Sequence, residues 1–179
     1  MAYGIVELLS VAAHNVDAYN HTFVNTSDDI ENGSIFTMGD RITGQEEEYT
    51  AVKPATANLA KQFYMAASPI RTVTELADGS KFVDLSPNPK AFINKAGQPI
   101  DGVALKLGDI VRLSVDAVAG TKSTNTFVVA TNDAYKLTWA AAAISGLSLK
   151  LIGTSYVSVA DGFGSQRVVA YDFRVDAIA

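Results

Sequence analysis

The sequence predicts a mainly all-β fold, an antiparallel β-sandwich or barrel that carries an extended N-terminal arm. Three observations predict it. Apolar and polar residues alternate with period two through the C-terminal third, turn-forming residues interrupt that alternation at short intervals, and no long helical period crosses residues 108–178. A strand with one buried face repeats every second residue, whereas a helix repeats its apolar stripe about every 3.6 residues, so the pattern separates the two. A chain of 179 residues has room for one domain with its own core. Strands following one another without intervening helices disfavour the βαβ layout of many enzymes.

In chain order, short extended segments are expected at 3–9, 22–25, 34–38 and 62–67. Residues 10–33 are rich in Asn, Asp, Ser and Thr without sustained periodicity and read as an irregular or extended path. A helical turn fits 57–63, bracketed by Pro54 and Pro69. Ser86-Pro87-Asn88-Pro89 reads as a stiff connector, since proline restricts itself and the residue before it.

Farther on, Val111, Leu113, Val115 and Ala117 share one strand face. Tyr135, Leu137 and Trp139 share another, as do Leu147, Leu149 and Leu151, and then Val169, Tyr171, Phe173 and Val175. Segments 126–131 and 155–160 add two strands rich in β-branched and aromatic residues. Turns are expected at Asn132-Asp133, Ser145-Gly146, Gly153-Thr154 and Asp161-Gly162-Phe163-Gly164. These readings divide the chain into an arm, residues 1–45, and a β-rich domain, residues 46–179, with the boundary near Thr43-Gly44-Gln45.

The charge pattern narrows the function classes. There are 14 Lys and Arg against 19 Asp and Glu, a net charge of −5, and no two basic residues are adjacent. Nucleic-acid binding needs clustered cations, so nucleic acid is not an expected partner. Apolar runs such as Ala140 to Ile144 fall far short of the ~20 residues of a membrane-spanning helix, so no membrane partner is expected. With no cysteine there are no disulfides, thiolate metal sites or Cys nucleophiles. The residues from Met1 to Glu7 lack a basic region and do not read as a signal peptide, which fits synthesis in a reducing cytosol.

Catalytic templates find little to hold them. The two histidines, His14 and His21, fall in the irregular stretch and read as solvated or interface residues. The Gly97 to Gly102 spacing imitates a phosphate loop, but Val103-Ala104 stands where Lys and Ser or Thr should follow, so it reads as a loop. Gly162-Phe163-Gly164 precedes a strand and reads as a hairpin turn. Asp28-Asp29-Ile30-Glu31-Asn32-Gly33 fits a solvated turn or a loose surface calcium site, with Ile30 where an EF-hand needs a ligand. Sequons at Asn20, Asn25 and Asn32 mark only a polar stretch. No catalytic, cofactor or metal residues are assigned.

Candidate partner-binding residues remain. Tyr3, Ile5, Val6, Leu8 and Leu9 form an apolar extended segment that would be a liability unless covered. It either adds to a partner by strand addition or groove packing, or forms a strand of the protein's own sheet. Glu46, Glu47 and Glu48 read as a solvated edge or helix start, or as like charges that meet a basic patch on a partner.

Short motifs across residues 32–115 point to a family. They are Asn32-Gly33-Ser34, Glu46-Glu47-Glu48-Tyr49 leading into Val52-Lys53-Pro54-Ala55-Thr56, Ala66-Ala67-Ser68-Pro69, Phe92-Ile93-Asn94-Lys95-Ala96-Gly97 and Leu107-Gly108-Asp109-Ile110. This stretch resembles the head decoration, or cement, proteins encoded beside the major capsid protein in tailed bacteriophages. The resemblance implies a non-enzymatic virion protein, made in the bacterial cytoplasm, that binds and stabilises the outer capsid surface. Its partners would be the major capsid protein and neighbouring copies of itself, as a homo-oligomer on the capsid. The competing readings are a tail-tube or tail-completion structural protein and a carbohydrate-binding β-sandwich module using Trp139 and nearby tyrosines.

Overall fold

The computed structural model describes residues 2–70, 72–84, 88–160 and 164–178. The chain is all-β, as its alternation requires, and its strands form a closed five-stranded barrel, a seven-stranded sheet and a separate two-stranded ribbon.

The barrel is built from β2 (Asn20–Val24), β3 (Ile35–Arg41), β4 (Glu48–Val52), β5 (Phe63–Ala66) and a later strand, Pro99–Ala104. The ribbon consists of β6 (Thr72–Glu75) and β7 (Lys81–Asp84), which makes the Pro99–Ala104 strand β8. The order around the barrel is β2-β4-β3-β5-β8, antiparallel throughout except for the parallel β2–β4 pair. Inside it Phe23, Ile30, Phe36, Tyr64 and Ile100 pack together. Gly102 lies in β8 where a Cβ would come within 2.4 Å of the Phe23 ring and 3.1 Å of Phe36. The segment from Gly97 to Gly102 is therefore not simply a loop. Gly97, at φ +79°, makes the turn, and Gly102 lets the wall of the barrel close over its aromatic filling.

The large sheet contains β1 (Val6–Ser10), β9 (Ile110–Ser114), β10 (Val118–Ala119), β11 (Phe127–Val129), β12 (Leu137–Ala140), β13 (Ser148–Ala160) and β14 (Ser165–Ala177). They run in the order β1-β9-β14-β13-β11-β12-β10. Val111, Leu113, Leu137, Leu149 and Phe173 are fully buried on its core face, as the alternation predicts. That core is shared with the barrel: Ile35, Phe63, Met65 and Leu105 point out of the barrel wall into it. Strand β5 is consequently buried on both faces, Phe63 and Met65 toward the sheet, Tyr64 and Ala66 toward the barrel interior.

Several expectations are corrected. The period-two run from Val111 breaks after Ser114, because Val115–Ala117 forms a 3-10 turn that leaves Val115 exposed. Gly153-Thr154 is not a turn: it lies within β13, where a register shift against β14 between Leu151 and Gly153 absorbs the irregularity. The helical turn near 57–63 is a 3-10 turn at Thr56–Asn58. The proposed turn residues Asp161, Gly162 and Phe163, and Ser86 and Pro87 of the connector, lie outside the described residues.

The division into an arm and a domain is also overturned. Strand β1 is paired along β9, and β2 and β3 are barrel staves bonded to β4, β5 and β8, so the strands between Val6 and Arg41 are built into both sheets. The physical reason is non-local pairing, which lies outside the reach of a local pattern. At the N-terminal end Gly4 donates to a Glu31 carboxylate oxygen at 2.8 Å. A Cβ at Gly4 would stand 2.8 Å from both the Ala117 Cβ and the Asn32 carbonyl oxygen. Only glycine permits that approach.

A polar junction ties the barrel to the loop before β12. The Asn25 amide donates to the Tyr135 hydroxyl at 2.6 Å, the hydroxyl lies 3.4 Å from Asp28, and Lys53 sits 3.5 Å from Asp28 and over the Tyr135 ring. Burial pushes the Tyr135 phenol up from its usual range to about 12, and the nearby Asp28 carboxylate adds to this. The folded state thus holds the phenol proton more tightly than the unfolded chain does. The resulting stability is complete below a pH of about 10 and is lost as pH rises toward about 12.

Two outcomes are expected. Gly102→Ala destabilises the protein by about 1–3 kcal/mol in urea unfolding, because the barrel must spread to admit the methyl group; a change of a few tenths would refute the tight closure. Tyr135→Phe flattens the loss of stability between pH about 10 and 12 by roughly one proton, read from the pH dependence of the unfolding midpoint. An unchanged alkaline slope would place that titration elsewhere.

Candidate partner-binding surface

The apolar segment singled out in the sequence is divided between buried and open positions. Tyr3 is half-buried and its N–H donates to the Lys90 carbonyl at 2.9 Å. Ile5 is buried in a small apolar cluster with Val157, Val159, Val168 and Ala170. Val6 and Leu8 are half-buried against the main core, and Leu9, at a bulge in β1, is exposed. These residues are thus the edge strand of the protein's own sheet, the second of the two readings open to the sequence.

An ion triad fixes that strand in register. Glu7, Arg112 and Asp172 stand directly opposite one another on β1, β9 and β14. Arg112 donates Nε to Asp172 at 2.7 Å and Nη1 to Glu7 at 2.9 Å. The hydrogen bond to Asp172 raises the guanidinium pKa above its ordinary value against the opposing effect of desolvation, and Glu7 adds to the rise. All three side chains are partly exposed, so the triad contributes about 1 kcal/mol per pair at most, and its larger effect is on register.

Among the described residues the outer side of β1 has no neighbouring strand, since β1 ends the sheet and pairs with β9. Ser114 N donates to the Ile5 carbonyl, so by alternation the backbone groups of Val6 and Leu8 point away from β9. Beside this edge lies a hollow of about 340 Å³, walled by Val6 and Leu8 on one side and by Ala67, Pro69 and Ile70 on the other. The far wall is held by Asn32, whose side chain exchanges hydrogen bonds with the Ser68 backbone at 2.8 and 3.1 Å.

The acidic run stands elsewhere on the surface. Glu46 and Glu47 are exposed in the loop after β3, and Glu48 begins β4 and is half-buried, so the run is a loop leading into a strand and not a helix start. The Arg41 guanidinium donates to the carbonyls of Gln45 and Glu46 and holds the loop. Glu46 and Glu47 line a second hollow, of about 690 Å³, together with Asp17, His21, Tyr49 and Asp101. Asp17 and Asp101 carried no signal in the sequence. Asp17 lies in an irregular stretch, and Asp101 lies in a strand masked by the Gly102 beside it.

The remaining candidates are accounted for by local contacts. His21 packs edge-on against Tyr49 and Tyr64, at 5.7 and 5.6 Å between ring centres, while His14 is exposed. Asp28 pairs with Lys53, and Asp29 with Lys95 at 2.7 Å, so the acidic stretch at 28–33 directs its first two carboxylates to separate lysines. Ile30 and Asn32 are buried, so the stretch is not wholly a solvated turn. Trp139 is 8% exposed and packs edge-on against Tyr171 at 5.3 Å, inside the core. It therefore presents no flat face for stacking on a sugar.

Comparison with protein-family models, curated proteins and solved structures finds no match to this chain. Fold and surface together define an all-β protein with a double core and an open sheet edge at β1.

Glu7→Gln is expected to speed amide hydrogen exchange at position 7 and at Arg112, which face each other across β1 and β9, by about threefold, with little change in the β13–β14 hairpin, because the charge pair acts on the edge strand. Equal exchange in the two proteins would show that apolar packing alone holds β1.

Proposed function

We propose that this chain is a structural protein of a tailed-bacteriophage virion that binds the outer surface of the capsid and stabilises it, a decoration or cement protein. The observation that carries the reading is the open edge of β1 with an apolar hollow beside it. Unpaired strand backbone next to apolar side chains is chemistry for gripping another polypeptide, and isolated edges of this kind are normally covered. The resemblance across residues 32–115 supports the same reading. The major capsid protein, with neighbouring copies of this chain, is the proposed partner, and no catalytic step is assigned.

Physical requirements agree with this role. Packaged DNA pushes capsomers apart, and a rigid subunit that bridges them raises the barrier to rupture. Here rigidity comes from β5, buried between barrel and sheet, which couples the two layers into one body. Modest contacts repeated over a symmetric shell add up through multivalency.

Immunogold labelling of purified particles tests the reading. Gold spread over heads, with heads lacking the protein rupturing at lower temperature, is the expected result. Label confined to tails would replace it with the tail-tube or tail-completion reading, and absence from particles would remove both.

A further inference from the structure

Resting on the reading of the chain as a decoration protein, we propose that its groove takes an extended segment of a shell protein, apolar in one half and basic in the other. Ala67 lines both hollows, so the apolar hollow beside β1 and the acidic hollow beside β2 and β8 meet at one residue. We take the two as the halves of one bent groove with two chemistries. In the first half, the outward N–H and C=O groups of Val6 and Leu8 offer strand pairing, and the wall from Ala67 to Ile70 receives alternate side chains.

In the second half stand four carboxylates, Asp17, Glu46, Glu47 and Asp101. None of them is paired with a cation among the described residues. Several carboxylates elsewhere are neutralised locally, Glu7, Asp28, Asp29, Glu31, Asp133, Asp172 and Asp176 each having a lysine or arginine within 4.0 Å, and what sets the hollow apart is that four carboxylates line it together. Uncompensated like charges gathered along one wall attract cations and repel anions, and Tyr49 beside them offers a ring face or edge to a guanidinium. Continuity with the strand edge makes the occupant a polypeptide.

A second copy of this chain does not fit the same description. Its closest basic residues, Lys90 and Lys95, are separated by four others, so no segment of it supplies a basic half. The occupant is therefore a partner sequence with several Lys or Arg close together, of the kind this chain lacks.

The probe is a displayed library of random peptides selected on the immobilised full chain. Enriched peptides are expected to alternate β-branched or apolar residues through one half and to carry two or more Lys or Arg in the other. Their affinity should fall about tenfold for the double variant Glu46→Lys, Glu47→Lys, and fall again when alternate amides of the apolar half are N-methylated. Both glutamates are exposed loop residues whose side chains hold no other element, so this variant keeps its fold, as its unfolding midpoint will report. Enrichment without a basic half, no enrichment at all, or equal affinity for the double variant would overturn the groove assignment.

Capsid binding separates the two layers of the argument. If heads bind the wild-type chain but an enriched peptide does not compete, the groove assignment fails and the decoration reading stands. If the peptides behave as expected but no head carries the protein, the groove chemistry stands and the shell is removed as its source.

Discussion

The pairing of β1 along β9 is the constraint on which the surface of this protein depends. It turns the first residues of the chain into a sheet edge, aims the backbone of Val6 and Leu8 outward, and places them across a hollow from Ala67, Pro69 and Ile70. The Glu7–Arg112–Asp172 triad holds the register, while the half-buried Val6 and Leu8 supply most of the adhesion through apolar contact with the core. A slip of β1 by one residue would send both side chains to the opposite face and break the Glu7–Arg112 pair.

A second constraint explains why two sheets behave as one body. The barrel has apolar residues on both sides of its wall: Phe23, Phe36 and Tyr64 fill the inside, while Ile35, Phe63 and Met65 join the core of the large sheet. Residues in close-packed cores transmit displacement, so the barrel cannot shift without disturbing the sheet. Rigidity of this kind suits a part that bears load. It also keeps the two hollows, one beside β1 and one beside β2 and β8, at a constant spacing.

The distribution of charge adds a third element. Most of the ion pairs join segments distant in sequence, as Lys95 joins Asp29 and Lys136 joins Glu31, and so they stitch the loops to the framework. The carboxylates of the acidic hollow are left out of this stitching. With a net charge of −5 concentrated partly there, the protein presents one face suited to a basic polypeptide, and the rest of its surface is close to balanced.

By itself, the sequence determined the all-β class and most of the strands and buried faces of the C-terminal half, because period-two alternation is a local record of which side meets the core; Val115 and Val169, placed on buried faces by the same alternation, are exposed, and Val168 and Ala170 are buried in place of Val169. Leu137, Trp139, Leu149 and Phe173 lie where that record puts them. Strands β4 and β8 escaped it. Glu48 opens one of them with a charge, and Gly102 interrupts the other, since a barrel wall facing Phe23 has no room for a side chain. Of the candidate surface, the apolar residues near the N-terminus and the Glu46–Glu47 pair were legible as apolar and acidic character. Only the tertiary structure decided that the first is an edge strand and not an arm, and that Asp17 and Asp101 join the second. The reason is that strand pairing and charge convergence both act between residues far apart in the chain, and no local pattern encodes the partner on the other side.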